Sequence, residues 1–493
     1  RNDQGMKRLL LISYAFPPMA AVGGHRTVKF AKFLPEFGWE PTVLTVRSGF
    51  NYAYDPSLLD DLPGSLKVLR TRSMEPLRWW EGRKGRETEY ASGEEVDRWG
   101  SSLPTGSETE CSCSAVGGPA RDMGRAARGI KQLARDLLTT PDEQVWWIPF
   151  AVAAGLKAVA DGIDVIYTTS PPHSTHLAGW LLSLLTGKPW VADFRDLWTS
   201  NIHFLPSRRG GKRERVERWL EARLLRDAAA IITTSEKSRE LLSSQIGGNG
   251  RADREARTRW FTITNGFDPD DFADAVEEGG RGVQPGSLSP RDWGLLRERD
   301  GGRFIITFLG SLYGDRRPDL LLAGLKEWFR TEPEVRPFVR VKLVGNKSPD
   351  IEGRLSLGEL VGSIDISGHL PHRKALALLR RSNLLLLLLG GGEENGGVIP
   401  AKLFEYLYVG QPILALVPEG EAAMLVRLLA RGSVVTEESP QAVARELRYW
   451  YRAWRGEIDP PPTEGGGLLS LYERRNCTSM LARVLEYVRK DNR

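Results

Sequence analysis

Short apolar runs alternate with segments of helical periodicity along most of the 493-residue chain. The first run, residues 7–13, leads into a Pro/Gly loop and then into a predicted helix over residues 27–37. Residues 303–309 repeat this order far downstream, with a buried-strand run, a glycine loop and a helix. The repeated order predicts an α/β protein with two doubly wound, Rossmann-like domains, each built on a parallel sheet.

Further strands are predicted between and after these two starting points, and helical stretches separate most of them, as right-handed parallel crossovers require. The predicted strands lie at residues 41–46, 165–169, 190–194, 229–233, 339–344, 364–367, 384–389 and 412–417. Parallel sheets bind ligands at the carboxyl ends of their strands. The loops that follow these strands are therefore where we expect the functional residues.

Three segments break the alternation. Residues 72–122 are rich in Gly, Ser, Arg and Glu and predict an irregular insertion, while residues 246–258 and 274–302 are polar and rich in Gly and Arg. Together with the two strand starts, these segments set the predicted boundaries. They are an N-terminal domain at 1–275, a linker at 276–302, a C-terminal domain at 303–467 and a final helical segment at 468–493.

Composition adds a few constraints. The net charge of +5 gives no indication of a nucleic-acid partner, so any basic partner surface must be local. Cys111, Cys113 and Cys477 have no metal-ligand spacing and favour a reducing, cytoplasmic setting over a disulfide framework. The most apolar run, residues 384–389, is far shorter than the roughly 20 residues of a membrane-spanning helix.

Residues 122–138 predict a basic amphipathic helix. One interpretation is a helix packed against the core. The other is contact with an anionic membrane surface or with a lipid-linked acceptor.

The strongest chemical pattern is a glycine loop that leads into a helix near Pro400, which ends at Gly410 before a buried strand. The free N–H groups at such a helix start bind phosphate oxygens, and Lys402 would add a positive charge to the same phosphates. Glu405, about one turn further on, has a carboxylate that can accept two hydrogen bonds from a ribose diol. The alternative is an ordinary helix with a capping lysine and an exposed glutamate.

This segment resembles the donor-binding motif of family 4 retaining glycosyltransferases with the GT-B fold, in which two glutamates are separated by seven residues. Glu405 matches the second glutamate, which in the family binds the nucleotide ribose. The first glutamate, which in the family touches the donor sugar, falls at Gly397 and is absent. Glu393 or Glu394, just upstream, is the candidate substitute. The sequence that contains Glu405 resembles a bacterial polysaccharide-associated branch of the family.

The loop from Gly310 to Pro318 resembles the family's second diphosphate-binding segment. Arg316 takes the position of the family's lysine, whereas Ser311 replaces the family's arginine. With Lys402, Arg316 is expected to stabilise the charge on a departing nucleoside diphosphate. A solvated loop arginine is the alternative.

Two further loops complete the donor side of the resemblance. Gly368, His369 and Leu370 follow a short predicted strand and resemble the loop whose backbone groups read the nucleobase. Gly23 and Gly24 resemble the family's first loop, in which glycines let the backbone approach the diphosphate or the acceptor.

In the N-terminal half, two segments that follow predicted strands resemble the same bacterial branch and are expected to face the interdomain cleft. His173 fits the family histidine that contacts the donor sugar near the reacting carbon, with His176 as the alternative. The aspartates of this region could orient an acceptor hydroxyl, or they could belong to a structural ion-pair network. The acceptor-side candidates are Arg26, Asp193, Arg195 and Asp196.

The resemblance implies a GT-B fold, with two domains facing a cleft and the last helix crossing back onto the N-terminal, acceptor-side domain. It implies a retaining, metal-independent hexosyltransferase with His173, Arg316 and Lys402 as catalytic candidates and no cofactor. The donor would be a nucleoside diphosphate-sugar and the acceptor a glycan or a lipid-linked molecule, in polysaccharide or glycoconjugate biosynthesis, in the cytoplasm or at the inner face of the membrane. The alternative is a degenerate subunit that binds nucleotide or glycan without turnover.

Overall fold

The structure is a computed structural model that describes most of both predicted domains. The described residues are 6–19, 22–47, 55–74, 136, 138–201, 211–246, 259–273, 301–314, 316, 318–348, 351, 357–459 and 466–491. Most of the predicted insertion at 72–122, of the basic helix at 122–138 and of the linker at 276–302 lies outside them, as do residues 247–258.

The chain divides into two compact units. One is Met74–Trp146, in which the indole N–H of Trp146 donates a 2.9 Å hydrogen bond to the carbonyl of Leu138. The other joins Arg1–Ser73 to Trp147–Arg493 and contains both parallel sheets. Both sheets and the helices named below belong to this second unit.

The N-terminal half forms a parallel sheet whose described strands run in the order β3-β2-β1-β4-β5-β6-β7. The strands are β1 (Lys7–Ile12), β2 (Trp39–Val46), β3 (Lys67–Thr71), β4 (Val165–Ser170), β5 (Trp190–Phe194), β6 (Ala230–Thr233) and β7 (Trp260–Thr262). Every residue of β4 and β5 is buried, as are those of β1 from Leu9 onwards, because helices cover both faces of the sheet. The strand order reverses between β1 and β4, which opens a crevice for ligands at their carboxyl ends.

The helices of this half are α1 (Val22–Phe33), α2 (Ile148–Ala160), α3 (Ser174–Thr186), α4 (Lys212–Asp227) and α5 (Glu236–Ser244). The helix predicted at 27–37 begins five residues earlier, so Gly23 and Gly24 lie in its first turn rather than in a loop. It also ends earlier, since Leu34–Phe37 forms a 3-10 turn that includes Pro35 and closes at Gly38 in the left-handed conformation.

The C-terminal half forms a second parallel sheet whose described strands run in the order β10-β9-β8-β11-β12-β13. The strands are β8 (Phe304–Leu309), β9 (Val339–Val344), β10 (Ile364–Ser367), β11 (Leu384–Leu388), β12 (Ile413–Leu416) and β13 (Gly432–Val435). The helices are α6 (Asp319–Thr331), α7 (His372–Arg380), α8 (Ala401–Val409), α9 (Glu421–Leu428), α10 (Pro440–Arg455), α11 (Gly466–Leu469) and α12 (Arg474–Asp491). Two α/β domains with parallel sheets are thus confirmed.

Every strand predicted from the sequence is present, with ends that differ by one or two residues. The structure adds β3, β7 and β13, which lie at sheet edges. An edge strand is half exposed, so β3 and β13 carry mixed residues rather than a buried apolar run, and β7 is only three residues long. These features explain why the apolar pattern did not reveal them.

Helix α12 packs onto the N-terminal sheet. Its buried side chains Leu481, Val484 and Leu485 share one apolar cluster with Leu11 of β1 and Phe30 of α1. The last helix of the chain is therefore part of the core of the first domain.

We expect Leu485→Ala to destabilise the protein by about 2–5 kcal/mol, because this side chain is fully buried and its removal leaves a cavity. Met480→Ala, at an exposed position of the same helix, is the matched control and should change stability little. Thermal and urea unfolding of both variants measure the difference. Equal effects would contradict the packing of α12 in the N-terminal core.

Candidate functional site

Two positively charged side chains lie at the carboxyl edge of the C-terminal sheet. Lys402 is in the first turn of α8, and its Nζ lies 3.8 Å from the centroid of the Phe308 ring, at the end of β8. Gly310 follows β8, and a Cβ at this position would lie 3.0 Å from Lys402 Nζ. The Arg316 guanidinium lies 5.1 Å from the centroid of the Tyr313 ring. Lys402 therefore lies beside Gly310, and the charge of Arg316 acts on the Lys402 ammonium.

Within the described part of the chain, no carboxylate lies within ion-pair distance of Lys402 or Arg316. Burial and the charge of Arg316 hold the pKa of Lys402 well below its ordinary range. A bound anion would relieve both effects. Its negative charge would offset the desolvation of the Lys402 ammonium and the repulsion between Lys402 and Arg316. The start of α8 adds free N–H groups to the same place. The arrangement suits a multiply charged anion such as a diphosphate.

Glu405, one turn further along α8, lies in a cluster that sequence reasoning missed. Its Oε1 is 3.1 Å from Nε2 of His372, the first residue of α7. The His372 ring is 4.8 Å, between centroids, from the ring of His25 in α1, which belongs to the other domain. Arg474, at the start of α12, adds a further charge. The carboxylate thus joins both domains and the last helix.

The pKa values in this cluster follow from these contacts. Burial acts to raise the pKa of Glu405, but the hydrogen bond from His372 and the charges of His372 and Arg474 hold it below its ordinary value. Burial acts to lower the pKa of His372, but Glu405 raises it above its ordinary value. Burial, together with His372, lowers the pKa of His25 to about 3. Glu405 and Arg474 therefore carry charges in this cluster, His25 is neutral, and Glu405 favours the protonated form of His372.

The signals that would have revealed the two histidines are local. His25 directly follows Gly24, and His372 opens the helix that follows the Gly368–Leu370 loop. Gly368 and His369 are exposed and Leu370 is half-buried, as a loop available to a nucleobase requires. Through His372 this loop is adjacent to Glu405.

The first turn of α1 lies under Arg195. A Cβ added at Gly23 would lie 1.8 Å from Arg195 Nη1, so a larger residue there would displace the Arg195 guanidinium. The Arg195 guanidinium is held by hydrogen bonds to the carbonyls of Ser170 (2.9 Å) and Pro171 (2.8 Å) at the end of β4. Gly23 and Arg195, predicted for the donor and acceptor sides respectively, are therefore in contact.

Arg26 and Asp193 form a buried ion pair, which corrects their assignment to the acceptor side. Their side chains are 1% and 0% exposed, and Arg26 Nε donates to Asp193 Oδ2 at 2.8 Å. Arg26 also donates to the carbonyls of Ile263 and Thr264, and the Tyr167 hydroxyl donates to Asp193. Both residues hold the N-terminal domain together and do not reach solvent. Arg195 is half-buried and Asp196 is exposed, so these two stay as acceptor-side candidates.

The structure separates the two candidate histidines. His176 is fully buried, and both ring nitrogens are bonded, Nδ1 to Thr168 Oγ1 at 2.7 Å and Nε2 to Ser170 Oγ at 2.8 Å. His173 precedes α3 and is half-buried, and its ring is stacked on Trp198 with centroids 5.0 Å apart. Burial and the charge of Arg195 lower the pKa of His173 to about 3. His173 is thus a neutral imidazole at the edge of the crevice, whereas His176 is a core residue.

Gly397, where the family has its first glutamate, is packed against the other domain. A Cβ at this position would lie 3.1 Å from Cβ of Lys237, a residue of the first turn of α5. The Lys237 N–H donates to Glu421 Oε1 at 2.7 Å, which joins the two domains next to this contact. Lys237 therefore fills the space beside Gly397. The side chain of Glu393, the candidate substitute, lies outside the described residues, as does that of Glu394.

A metal centre and a membrane-spanning helix would each leave a recognisable arrangement among the described residues. No group of three or more His, Cys, Asp and Glu side chains among them is arranged to hold a metal ion. No helix that they form is long and apolar enough to cross a membrane. Cys477 is buried and unpaired, and Cys111 and Cys113 lie outside the described residues.

Comparison with known proteins bears on the identity of the chain. Residues 24–260 match the family model of the glycosyl transferase 4-like domain. A sucrose-phosphate synthase from Thermosynechococcus elongatus superposes with a TM-score of 0.58 at 14% identity, over 98% of each chain. Residues 24–260 thus contain a glycosyl transferase 4-like domain, and the chain as a whole has the GT-B fold. This confirms the family that the sequence motifs resemble.

Two further solved structures have the same fold as this chain. A trehalose-6-phosphate protein from E. coli, bound with UDP-2-fluoro glucose, gives a TM-score of 0.56 at 12% identity, over 97% of this chain and 99% of the other. WaaG, a glycosyltransferase involved in lipopolysaccharide biosynthesis, gives a TM-score of 0.51 at 14% identity, over 97% of this chain and 99% of the other. No curated protein matches the chain in sequence. The family match ends before the C-terminal sheet, so the donor-side residues are assigned from motif and geometry.

We expect Gly397→Glu to destabilise the protein by about 1–3 kcal/mol, because the new side chain must displace Lys237. Lys237→Ala in the same chain should recover part of the loss, since it removes the obstacle. Gly64→Glu is the matched control, because a Cβ at Gly64 meets nothing within 4 Å. Melting temperatures of the single and double variants test the coupling. Equal decreases in melting temperature for Gly397→Glu and Gly64→Glu would contradict the contact between Gly397 and Lys237.

The His372–Glu405 pair should give a pH-dependent contribution to stability. Because the pKa of His372 is raised on folding, its contribution is fully present below pH 6.5, the ordinary histidine value, and is lost as the pH rises through the folded-state pKa. The stability difference between the parent and His372→Gln should therefore be largest near pH 6, at about 1–2 kcal/mol, and smaller near pH 9. Urea unfolding across this range measures it.

Lys374→Ala, at an exposed position of the same helix, is the control for this titration. The difference in free energy of unfolding between Lys374→Ala and the parent should not change with pH. A His372→Gln difference that is constant across the range, or that grows at high pH, would exclude a charged His372 in the folded state.

Proposed function

We propose that this protein transfers a sugar, with retention of configuration, from a nucleoside diphosphate-sugar to a glycan or lipid-linked acceptor in polysaccharide or glycoconjugate biosynthesis. The observation that carries the proposal is the pair of cations, Lys402 and Arg316, with no carboxylate of the described chain in ion-pair distance, at the start of α8. Glu405 follows one turn later. This order suits a diphosphate and its ribose on one domain.

The diphosphate would lie at the start of α8, between the Lys402 ammonium and the Arg316 guanidinium. Its negative charge grows as the bond to the sugar breaks, and both cations then stabilise the leaving group more strongly than the bound donor. A nucleophilic hydroxyl of the acceptor attacks on the face that the diphosphate leaves, and a phosphate oxygen takes its proton. This route needs charge and positioning from the protein and no cofactor or metal ion, as in the family that the motifs resemble.

The ribose would be held by Glu405. His372 contacts Oε1, which leaves Oε2 to accept from a ribose hydroxyl. The Gly368–Leu370 loop, which His372 connects to Glu405 in sequence and in space, would then receive the base. The structural neighbour bound to a UDP-sugar makes uridine the first base to test.

The N-terminal domain would supply the remaining contacts. His173, neutral and at the edge of the crevice, can exchange hydrogen bonds with a sugar hydroxyl without introducing a charge. Arg195 and Asp196 lie at the carboxyl end of β5, the edge at which a parallel sheet binds ligands. We place the acceptor there.

A catalytically degenerate subunit that binds nucleotide or glycan without turnover is the second candidate. Ser311 and Gly397 stand where the family has an arginine and a glutamate, and Lys237 fills the space beside Gly397. A first experiment screens uridine, guanosine, adenosine and thymidine diphosphates by thermal shift, because a ligand that binds the folded state raises its melting temperature. Release of nucleoside diphosphate from the matching sugar donor then separates an enzyme from a degenerate subunit. No shift with any of the diphosphates would reject both the enzyme and a nucleotide-binding subunit.

Lys402→Ala should lower kcat by about 100-fold and change the Kd for the nucleoside diphosphate less, because the interaction strengthens as charge develops. Glu405→Gln should mainly weaken nucleotide binding, by about 1–3 kcal/mol, through the ribose contact. Calorimetry and steady-state kinetics with the nucleotide found in the screen measure both.

A nucleotide that lacks the ribose hydroxyls is the control ligand, and its binding should be insensitive to Glu405→Gln. Lys374→Ala is the control variant for surface charge and should behave as the parent. If Lys402→Ala and Glu405→Gln both retain parental kinetics and affinity, the donor site lies elsewhere.

A further inference from the structure

Helix α4 (Lys212–Asp227) has an unusual distribution of residues between core and solvent. Glu217 and Glu221 are fully buried, whereas Trp219, which lies between them in sequence, is 62% exposed. Burial raises the pKa of Glu221 to about 7, which shows that this orientation of the helix is costly for its carboxylate. An ordinary surface helix turns its indole inward and its carboxylates outward. The solvent face of α4 therefore needs an explanation other than the packing of its own domain.

Six of the seven exposed residues of α4 form one continuous stripe, and the seventh, Arg218, lies to one side of it. Their spacings of three, four and seven residues keep them on a single side of the helix. The stripe consists of Lys212, Arg215, Val216, Trp219, Arg223 and Arg226. Trp219 is at its centre, Val216 beside it is 48% exposed, and the cations lie towards both ends.

The acidic residues of α4 do not neutralise the ends of this stripe. Glu214 pairs with Arg218 and Asp227 with Arg223, each at 2.8 Å. Glu217, turned inward, pairs with Arg213 at 2.6 Å, and Glu221 accepts a hydrogen bond from Thr199.

Lys212, Arg215 and Arg226 have no carboxylate within ion-pair distance in the described chain. The outward face of the helix is therefore positively charged around an exposed aromatic side chain.

The neighbouring helix extends this surface. Trp180 of α3 donates from Nε1 to Asp227 Oδ2 at 2.8 Å, which joins α3 to the end of α4. Leu184 and Leu185, one turn further along α3, are 57% and 64% exposed. Apolar side chains are thus exposed on both helices.

We propose that the outward face of α4 docks the protein on an anionic membrane surface. Trp219 and Val216 would enter the interface, where tryptophan is favoured, and Lys212, Arg215 and Arg226 would contact lipid phosphates. A basic helix with a large aromatic residue on its solvent side is the pattern of a helix that lies in the plane of a membrane. A protein partner would need a surface of about 800 Å² on each side, well beyond one helical stripe.

The position of α4 connects the surface to the crevice. The helix follows β5 in a parallel crossover, so its first residue lies at the sheet edge where Arg195 and Asp196 lie. A membrane under α4 would bring a lipid-held acceptor to that edge. This last step rests on the proposed function, whereas the docking itself does not.

Flotation of the full-length protein with vesicles tests the docking. The parent should float with phosphatidylcholine vesicles that contain phosphatidylglycerol, and much less with phosphatidylcholine alone or at high salt. Trp219→Ala should lose most of the binding. Arg215→Glu with Arg226→Glu should lower it by at least tenfold, since each cation near an anionic surface contributes roughly fivefold. Leu428→Ala and Lys326→Glu, at exposed positions of the other domain, are the matched controls and should bind as the parent.

Circular dichroism and melting temperature of each variant show that it is folded, so a loss of flotation can be assigned to the surface. Three results would overturn the docking: no flotation of the parent, parental flotation of the α4 variants, or a dimer in solution that Trp219→Ala dissociates. Nucleotide binding measured in parallel keeps the two proposals apart. A parent that binds nucleotide but no vesicle refutes the docking alone, and one that binds vesicles but no nucleotide refutes the donor site alone.

Discussion

The buried pair of Arg26 and Asp193 fixes the geometry on which the crevice depends. A guanidinium and a carboxylate that are both out of water hold each other firmly, because breaking the pair would leave an uncompensated buried charge. Arg26 lies in α1 and Asp193 at the end of β5, so the pair locks the first helix to the sheet. The turn that precedes Arg26 carries His25 and Gly23. Its position therefore determines both the contact with His372 across the domains and the contact with Arg195.

The charges of the two domains are balanced in different ways. In the N-terminal domain Lys29 is almost fully buried but is surrounded by Asp61, Asp268 and Asp271, and these carboxylates raise its pKa. In the C-terminal domain Lys402 is half-buried, no carboxylate of the described residues lies within ion-pair distance of it, and its pKa is lowered. The same residue type is thus neutralised by carboxylates in one place and has no such neighbour among the described residues in the other. This contrast, rather than the number of cations, distinguishes a structural lysine from a binding lysine.

The parts of the molecule that the sequence predicted are those with local causes. Apolar runs such as 384–389 predict buried strands, and the glycine loop before Pro400 predicts the start of α8. Arg316 and Lys402 were found because each lies beside such a loop. His25 and His372 were not, because each is a single histidine and their contact joins residues far apart in the chain. For Asp193 the sequence left an acceptor-side role and a structural ion pair open, and it did not identify Arg26 as the partner, because a charged pair has the same sequence pattern whether it faces solvent or the core.

The contact between Gly397 and Lys237 has a further consequence for how a donor sugar can be held. A glutamate at position 397 would belong to the same domain as the bound nucleotide. Its contact with the donor sugar would therefore form whether or not the two domains are close together. Lys237 belongs to α5 of the other domain, and it reaches Gly397 where Glu421 of α9 accepts hydrogen bonds from the N–H groups of Glu236 and Lys237. A helix start binds a carboxylate well, since its N–H groups are free and its dipole favours negative charge. Lys237 therefore lies beside Gly397 only when the two domains are close together. A glutamate at position 397 would occupy this space in any arrangement of the domains.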